Sequence, residues 1–375
     1  MASKNYDAIL CGAGIIGLSL AFELRKRGVS VLVIERGAPA RESSHAAAGM
    51  LAWCEPHPHP ALHALAEASY RAYPEWVREV EDASQSASRN NEASQSKAHV
   101  DLRSEGTLQL LNASEPWPTV GCLRTLAPGE LAHLEPGFAS PHRAAVLDEA
   151  TVDPRALCAA LERAARHRDA DFATGSPVTA LRFAGGKLAG VRTERAEYHA
   201  PVVVNCCGAW SGELDSSATG TSGHAGPRVP TRPIKGQMLS VAAGHLLRHT
   251  IRAHDVYLVP RTDGRLLIGA TVEDAGWDKR VVPETIQHLH QAAAHLFPAI
   301  GEMKLLEAWA GLRPATPDDL PILGPTSIPG YLVATGHFRD GILLAPITAR
   351  IIADLITGAT PAFDLTPFDP DRFAR

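Results

Sequence analysis

The sequence predicts an α/β protein of two units, a discontinuous Rossmann-like domain interrupted by an inserted antiparallel-sheet α+β domain. Three observations lead there. Residues 6–35 read as strand, glycine turn, helix and strand, ending on an acid. Short continuous apolar runs that end on glycine recur far downstream. Between them lies a region of several strands and one helix. A chain of 375 residues can hold two cores, and 45% hydrophobic with 21% charged residues is the make-up of a globular chain.

Taken in order, Gly12, Gly14 and Gly17 form G-x-G-x-x-G directly behind the apolar run Ala8-Ile-Leu-Cys. The first glycine permits a tight turn, the second lets backbone approach a diphosphate, and the third lets the helix lie close on the strand. The helix expected over 15–27 aims its first N–H groups at that diphosphate, which puts Ile15 and Ile16 at the ligand. Glu35, followed by Arg36, ends the second strand about 20 residues on, placed to accept from ribose hydroxyls. The unit therefore binds a dinucleotide through its adenosine. The small residues in Arg41-Glu-Ser-Ser-His-Ala-Ala-Ala-Gly-Met-Leu let the chain run flat against a ligand. A helix is expected over 61–82. Segments 84–97 and 215–226 are polar and aliphatic-poor, and read as poorly ordered surface loops.

Asp153 is placed to N-cap a helix with Pro154 in its first turn and one apolar stripe at 157, 161 and 164/165. The runs Val178-Thr-Ala-Leu-Arg-Phe and Leu188-Ala-Gly-Val-Arg flank Gly185-Gly186, a hairpin signal. Pro201-Val-Val-Val-Asn-Cys-Cys-Gly is continuous and apolar and ends on Gly208, as expected of a buried parallel strand whose end faces the ligand. Strands at 236–241, 255–260, 265–269 and 305–313, with a helix at 283–296, form the antiparallel unit. A last strand at 331–336 and a helix at 342–356 return to the first. The expected boundaries are 1–83, 146–214 and 318–375 for the nucleotide domain, and 84–145 and 215–317 for the inserted one.

Bulk properties narrow the partners. A net charge of −5 with mixed signs offers no polycation for nucleic acid and no basic amphipathic segment for a membrane. No run approaches the about 20 apolar residues of a spanning helix, and the first apolar run, Ala8 to Leu10, is only three residues long, so no signal peptide is expected. The six cysteines lack C-x-x-C or metal spacing, and the vicinal pair Cys206-Cys207 reads as buried thiols. A cytoplasmic location is expected. None of the 17 histidines has metal or triad spacing, so no metal site is expected; His57 and His59, alternating with prolines, read as a stiff solvated loop.

Four motifs carry a resemblance: Gly12-Ala-Gly-Ile-Ile-Gly with Glu35; Ser43-Ser-His-Ala-Ala-Ala-Gly-Met-Leu; Trp309-Ala-Gly-Leu-Arg-Pro; and Gly336-His-Phe-Arg-Asp-Gly-Ile-Leu-Leu-Ala-Pro. On these the chain resembles the FAD-dependent amine oxidases of the D-amino-acid oxidase superfamily, and among them the glycine oxidases of thiamine biosynthesis. The resemblance implies FAD, held without a covalent bond since 305–345 contain no cysteine. It extends the cofactor site from the first motif and Arg36 to Ser43, Ser44, Ala48, Gly49, Met50, Val178 and Gly208, and to His337, Phe338, Arg339, Asp340, Gly341, Ile342 and Leu343. Val178 taken alone reads as core. Physically, 336–343 follows a strand and opens a helix, so its N–H groups suit the electron-rich edge of a reduced flavin.

Arg313 ends a strand beside Trp309 in apolar surroundings, where a guanidinium needs an anion. That anion is either a substrate carboxylate or an acid such as Asp318 or Asp319. The resemblance makes Arg313 the carboxylate clamp, gives Tyr257 a second bond to the same group, and turns the Arg339 carbonyl toward the amine. Tyr257 alone reads as an ordinary sheet aromatic. Asp255 and Val272 depart from the histidine and methionine of the glycine oxidases. The activity implied is oxidative deamination of glycine, sarcosine or D-alanine by hydride transfer to flavin N5. The resemblance also implies reduction of dioxygen to peroxide and passage of glycine imine to a thiazole synthase; a homo-oligomer is expected. A same-fold dehydrogenase feeding a quinone or carrier, and a non-oxidase partner or RNA-modification domain, are the alternatives.

Overall fold

The computed structural model describes residues 5–55, 59–85, 99–127, 129–139, 143–218 and 229–373. His57, all but the first two residues of 84–97, and 219–226 lie outside the described residues. The segment 215–218, expected as loop, instead closes the helix Ser211–Ala218.

Ala8–Cys11 is buried at all four positions and forms the centre of a six-stranded sheet. It pairs in parallel with Val31–Glu35 on one side and Val202–Asn205 on the other, with Ala8 opposite both Val31 and Val202. Asp171–Thr174 extends one flank and Tyr331–Thr335 the other, both in parallel, and Ile322–Pro325 closes the latter edge antiparallel. Continuous apolar runs suit strands covered on both faces. The helices Ile15–Lys26, Pro60–Gln85, Pro154–His167 and Ala345–Thr357 cover one face as a single core. The hairpin Val178–Ala184 and Lys187–Thr193, with Glu197–His199, covers the other.

An eight-stranded sheet stands beside this unit, in the order Leu305–Ala315, Arg232–Ala242, Arg265–Gly269, Tyr257–Pro260, Thr250–Arg252, Thr107–Leu111, Arg143–Leu147, Cys122–Leu126. Neighbours are antiparallel except Thr250–Arg252 with Thr107–Leu111. The helix Pro283–Leu296 seals it through Ile286, Leu289, Ala293 and Leu296. A small cluster of Ala48, Met238, Val259, Leu267 and Trp309 joins the two sheets.

Some elements differ from expectation. The last helix begins at Ala345, not 342, because Pro346 belongs in a first turn and Gly336 and Phe338 adopt positive φ of +74° and +46° ahead of it. Residues 337–344 are successive turns, with Asp340 N–H on the His337 carbonyl and Leu344 N–H on that of Asp340, both at 2.8 Å. His59, read as solvated, caps a helix: its Nδ1 accepts from Ala61 N–H at 3.1 Å, so Pro60–Gln85 starts there. The first glycine turn is as expected: Gly12 has φ +108°, and a Cβ there would lie 2.5 Å from the Cys206 carbonyl oxygen.

Candidate active site

A long cleft opens at the carboxyl ends of the parallel strands and runs to the inner face of the eight-stranded sheet. Its walls include Gly12, Gly14, Ile15, Ile16, Glu35, Arg36, Ser43, Ser44, Ala48, Gly49, Met50 and Gly208. Further along come His337, Phe338, Arg339, Asp340, Gly341 and Ile342, then Tyr257 and Arg313. Three expected residues stand back from it. Gly17 serves packing, since a Cβ there would overlap the Gly12 carbonyl oxygen. Val178 starts the hairpin on the far face of the sheet, where its side chain joins that core. Leu343 is buried among the helices, and its carbonyl takes the Ser69 hydroxyl at 2.6 Å.

At the strand end of the cleft the Glu35 carboxylate is pinned at both oxygens, Oε2 accepting from Ala13 N–H at 2.8 Å and Oε1 from Gly37 N–H at 3.0 Å. Ile15 N–H, first of the helix, donates to Ser44 Oγ at 2.9 Å. A Cβ on Gly14 would meet only Ser44 Oγ, at 3.4 Å, so that side of the turn is open to a ligand. Arg36 turns sideways, stacked 3.6 Å over the Trp210 ring and paired with Glu42 at 2.9 Å.

Further in, the stretch expected to run flat opens instead as a short helix, Ser43–Ala46, and residues 47–49 lead from it to the strand Met50–Leu51. Trp309 Nε1–H donates to the Ala46 carbonyl at 3.0 Å, and Ser43 Oγ donates to the Leu312 carbonyl. A Cβ on Gly311 would overlap that of Ala46, so the strip and the strand Leu305–Ala315 touch only because that glycine is bare. The His337 ring serves the last helix: Nε2 lies 3.1 Å from Thr348 Oγ1, and burial pulls its pKa down to about 3, so it stays neutral. The Asp340 carboxyl is pushed up to about 7 by burial and by the nearby Glu55 charge, with Arg339 opposing.

Arg313 is half-buried at the far end. Its Nη1 donates to the Thr271 carbonyl at 3.0 Å and the Lys235 carbonyl at 3.3 Å, and bare Gly236 makes room for the guanidinium. Burial lowers its pKa, while neighbouring Tyr257 favours the charge. Asp318 is held by Arg372 at 2.9 Å instead, and Asp319 is exposed. Among the described residues no carboxylate forms an ion pair with Arg313. The Tyr257 hydroxyl sits 3.6 Å from Met238 Sδ, and burial raises its pKa against the pull of Arg313.

Sequence reasoning missed Glu55, which lines the cleft and pairs with Arg339 at 3.4 Å. It also missed Trp210; neither residue sits in a pattern that marks it. The signal for Gly311 was present, inside the Trp-Ala-Gly-Leu-Arg-Pro motif, but its need for a bare Cα was not read. Asp255 and Val272, the two departures, are exposed and do not line the cleft.

The glycine turn, the carboxylate at the second strand tip and a small-residue floor beside a second sheet fit a flavin dinucleotide: adenosine at one end, a flat ring system at the other. Comparison with known proteins agrees. Residues 7–355 match the family model described as FAD dependent oxidoreductase. The chain is 34% identical to a glycine oxidase of Bacillus licheniformis, over 95% of this chain and 94% of that one. It is 34% identical to the bifunctional protein ThiO/ThiG of Trichormus variabilis over 98% of this chain, but spans only 55% of that relative. The crystal structure of glycine oxidase from Geobacillus kaustophilus matches with a TM-score of 0.87 at 30% identity, covering 98% of this chain and 99% of that one. The chain belongs to the family of FAD dependent oxidoreductases, and FAD is the dinucleotide its cleft accommodates.

Proposed function

We propose that this chain oxidises glycine and other small primary or secondary amines, sarcosine and D-alanine among them, with dioxygen as acceptor and hydrogen peroxide as product. The observation that carries this reading is Arg313, a half-buried guanidinium at the end of the cleft with no carboxylate ion pair among the described residues. A carboxylate substrate is the anion its fork matches. When bound, FAD would supply the acceptor for the substrate's α-hydrogen and its electron pair, and water would hydrolyse the imine so formed to the oxo acid and ammonia, or methylamine where sarcosine is the substrate.

The chain's own part is binding and orientation. Arg313 holds the carboxylate, the Tyr257 hydroxyl donates to it, and the Arg339 carbonyl faces the amine. Glu35 and the glycine turn hold the adenosine half of FAD, and backbone from 337–342 faces the flavin. The similarity to glycine oxidases supports the substrate class, and that to ThiO/ThiG supports a supply of glycine imine for thiazole assembly.

Peroxide formation in air with glycine, sarcosine or D-alanine tests the reaction; flavin reduction without peroxide would favour a dehydrogenase that feeds a quinone or carrier. A hydrogen-bonded charge contact is worth about 1.5–3 kcal/mol. Arg313→Ala is therefore expected to raise KM for carboxylate substrates about 10- to 100-fold, and unchanged steady-state kinetics would remove Arg313 from its role.

A further inference from the structure

The strand Tyr257–Pro260 runs directly into Arg261, and residues 257, 259 and 261 share one face of the extended chain. Tyr257 lines the cleft, and Val259 packs in the apolar cluster with Ala48 and Trp309. Arg261 is 1% exposed. Its Nη2 donates to the Ala48 carbonyl at 2.5 Å and to the Val152 carbonyl at 2.9 Å. Between those oxygens lies Gly49, whose own carbonyl accepts from Val152 N–H at 2.9 Å. A Cβ on Gly49 would overlap the Val152 oxygen, so nothing larger fits that junction.

This arrangement is costly. Arg261 Nε and Nη1 have no hydrogen-bond partner among the described residues. The group borders a void of about 10 Å³ lined also by Ala47, Asp153 and Trp309, about the size of one water. Burial pulls the guanidinium down to about 10 against the charges of Asp153 and Asp101, so it stays cationic at neutral pH. An apolar residue of similar volume often replaces a buried ionic group at no loss of stability. Packing alone therefore does not account for Arg261. What an apolar side chain could not do is grip two carbonyls at once.

We propose that Arg261 is a positioning residue for the flavin: by clamping the Ala48 and Val152 carbonyls it fixes the course of 47–50, the small-residue wall against which the ring system lies. The inference rests on the FAD site and is independent of which amine is oxidised. It also makes one strand end serve both partners, Tyr257 the substrate and Arg261 the cofactor.

The test uses full-length Arg261→Met and Arg261→Lys, prepared with FAD and stripped of it. FAD affinity is read by flavin fluorescence, the bound flavin by its visible spectrum, and the clamp by amide hydrogen exchange at Val152. The methionine variant is expected to bind FAD about 10-fold or more weakly, with a displaced flavin spectrum and faster exchange. The lysine variant keeps the charge, but its shorter side chain ends short of where Nη2 stands between the two carbonyls, so it is expected to fall between the methionine variant and the unaltered protein. A folded methionine variant with unaltered FAD affinity and spectrum overturns the proposal, even if the apoprotein melts lower. Should that variant not fold, the lysine variant decides: unaltered affinity and exchange overturn the proposal, and weaker FAD with faster exchange at Val152 upholds it. Failure of the unaltered protein to take up FAD would strike the cofactor site itself, so the two failures are told apart.

Discussion

Asp340 carries its own pH signature. Burial, then the Glu55 charge, hold its carboxyl at about 7 in the folded chain, whereas an unfolded aspartate titrates near about 3.9. The folded state therefore keeps the proton that the unfolded state has lost, and stability from this group declines as pH rises through 7. Asp340→Asn is expected to flatten the fall in apoprotein Tm between about pH 4 and 7; an unaltered slope would contradict the assignment. His337 has the opposite sign. Its folded pKa of about 3 lies below the unfolded value of about 6.5, so its contribution is present above 6.5 and is lost as pH falls toward 3. His337→Gln should make Tm less acid-sensitive below pH 6. The sequence pointed to Arg313 because a guanidinium in an apolar strand must find an anion, but only the fold assigns Asp318 to Arg372. Glu55 was illegible, since its meaning comes from Arg339 and Asp340, far away in the chain.

Elements were legible where one local rule decides them. Asp153 caps Pro154–His167 as its spacing foretells, with Oδ1 accepting from Arg155 N–H at 2.8 Å and Ala156 N–H at 3.2 Å. Its Oδ2 also meets Arg265 at 2.9 Å. Asp153→Ala is expected to cost about 1–2 kcal/mol in a urea titration, and a loss well below that would mean that cap and bridge are dispensable. Ala8–Cys11 and Val202–Asn205 announced themselves as continuous buried runs. Edge strands did not. Cys122–Leu126 is mostly exposed, and Ile322–Pro325 ends on glycine and proline, residues that read as a turn until a neighbour pairs with them. The contact between 46–50 and Leu305–Ala315 was equally hidden, because close approach needs both strips at once. Gly311→Val should push them apart and weaken FAD binding about 10-fold or more, read by flavin fluorescence.

For the whole molecule, the two sheets divide the labour. The parallel sheet presents strand ends and a helix start to the nucleotide, and the eight-stranded sheet presents Tyr257 and Arg313 to the same cleft. No helix among the described residues is long and apolar enough to cross a membrane. The fold class was legible because the glycine turn, the recurring buried runs and the inserted strands each signal independently. Several walls of the cleft, the glycine turn, Gly208 and Arg313 among them, were legible locally, but their union was legible only through family resemblance, since no local pattern connects segments near 12, 46, 208, 257, 313 and 337. The central claim is that a small amino acid held at the Arg313 end gives its electrons to FAD. Anaerobic mixing of the FAD-loaded protein with glycine, sarcosine and D-alanine tests it most directly. At least one should bleach the yellow flavin band, and air should restore the band as peroxide appears; a band that persists with all three would contradict the account.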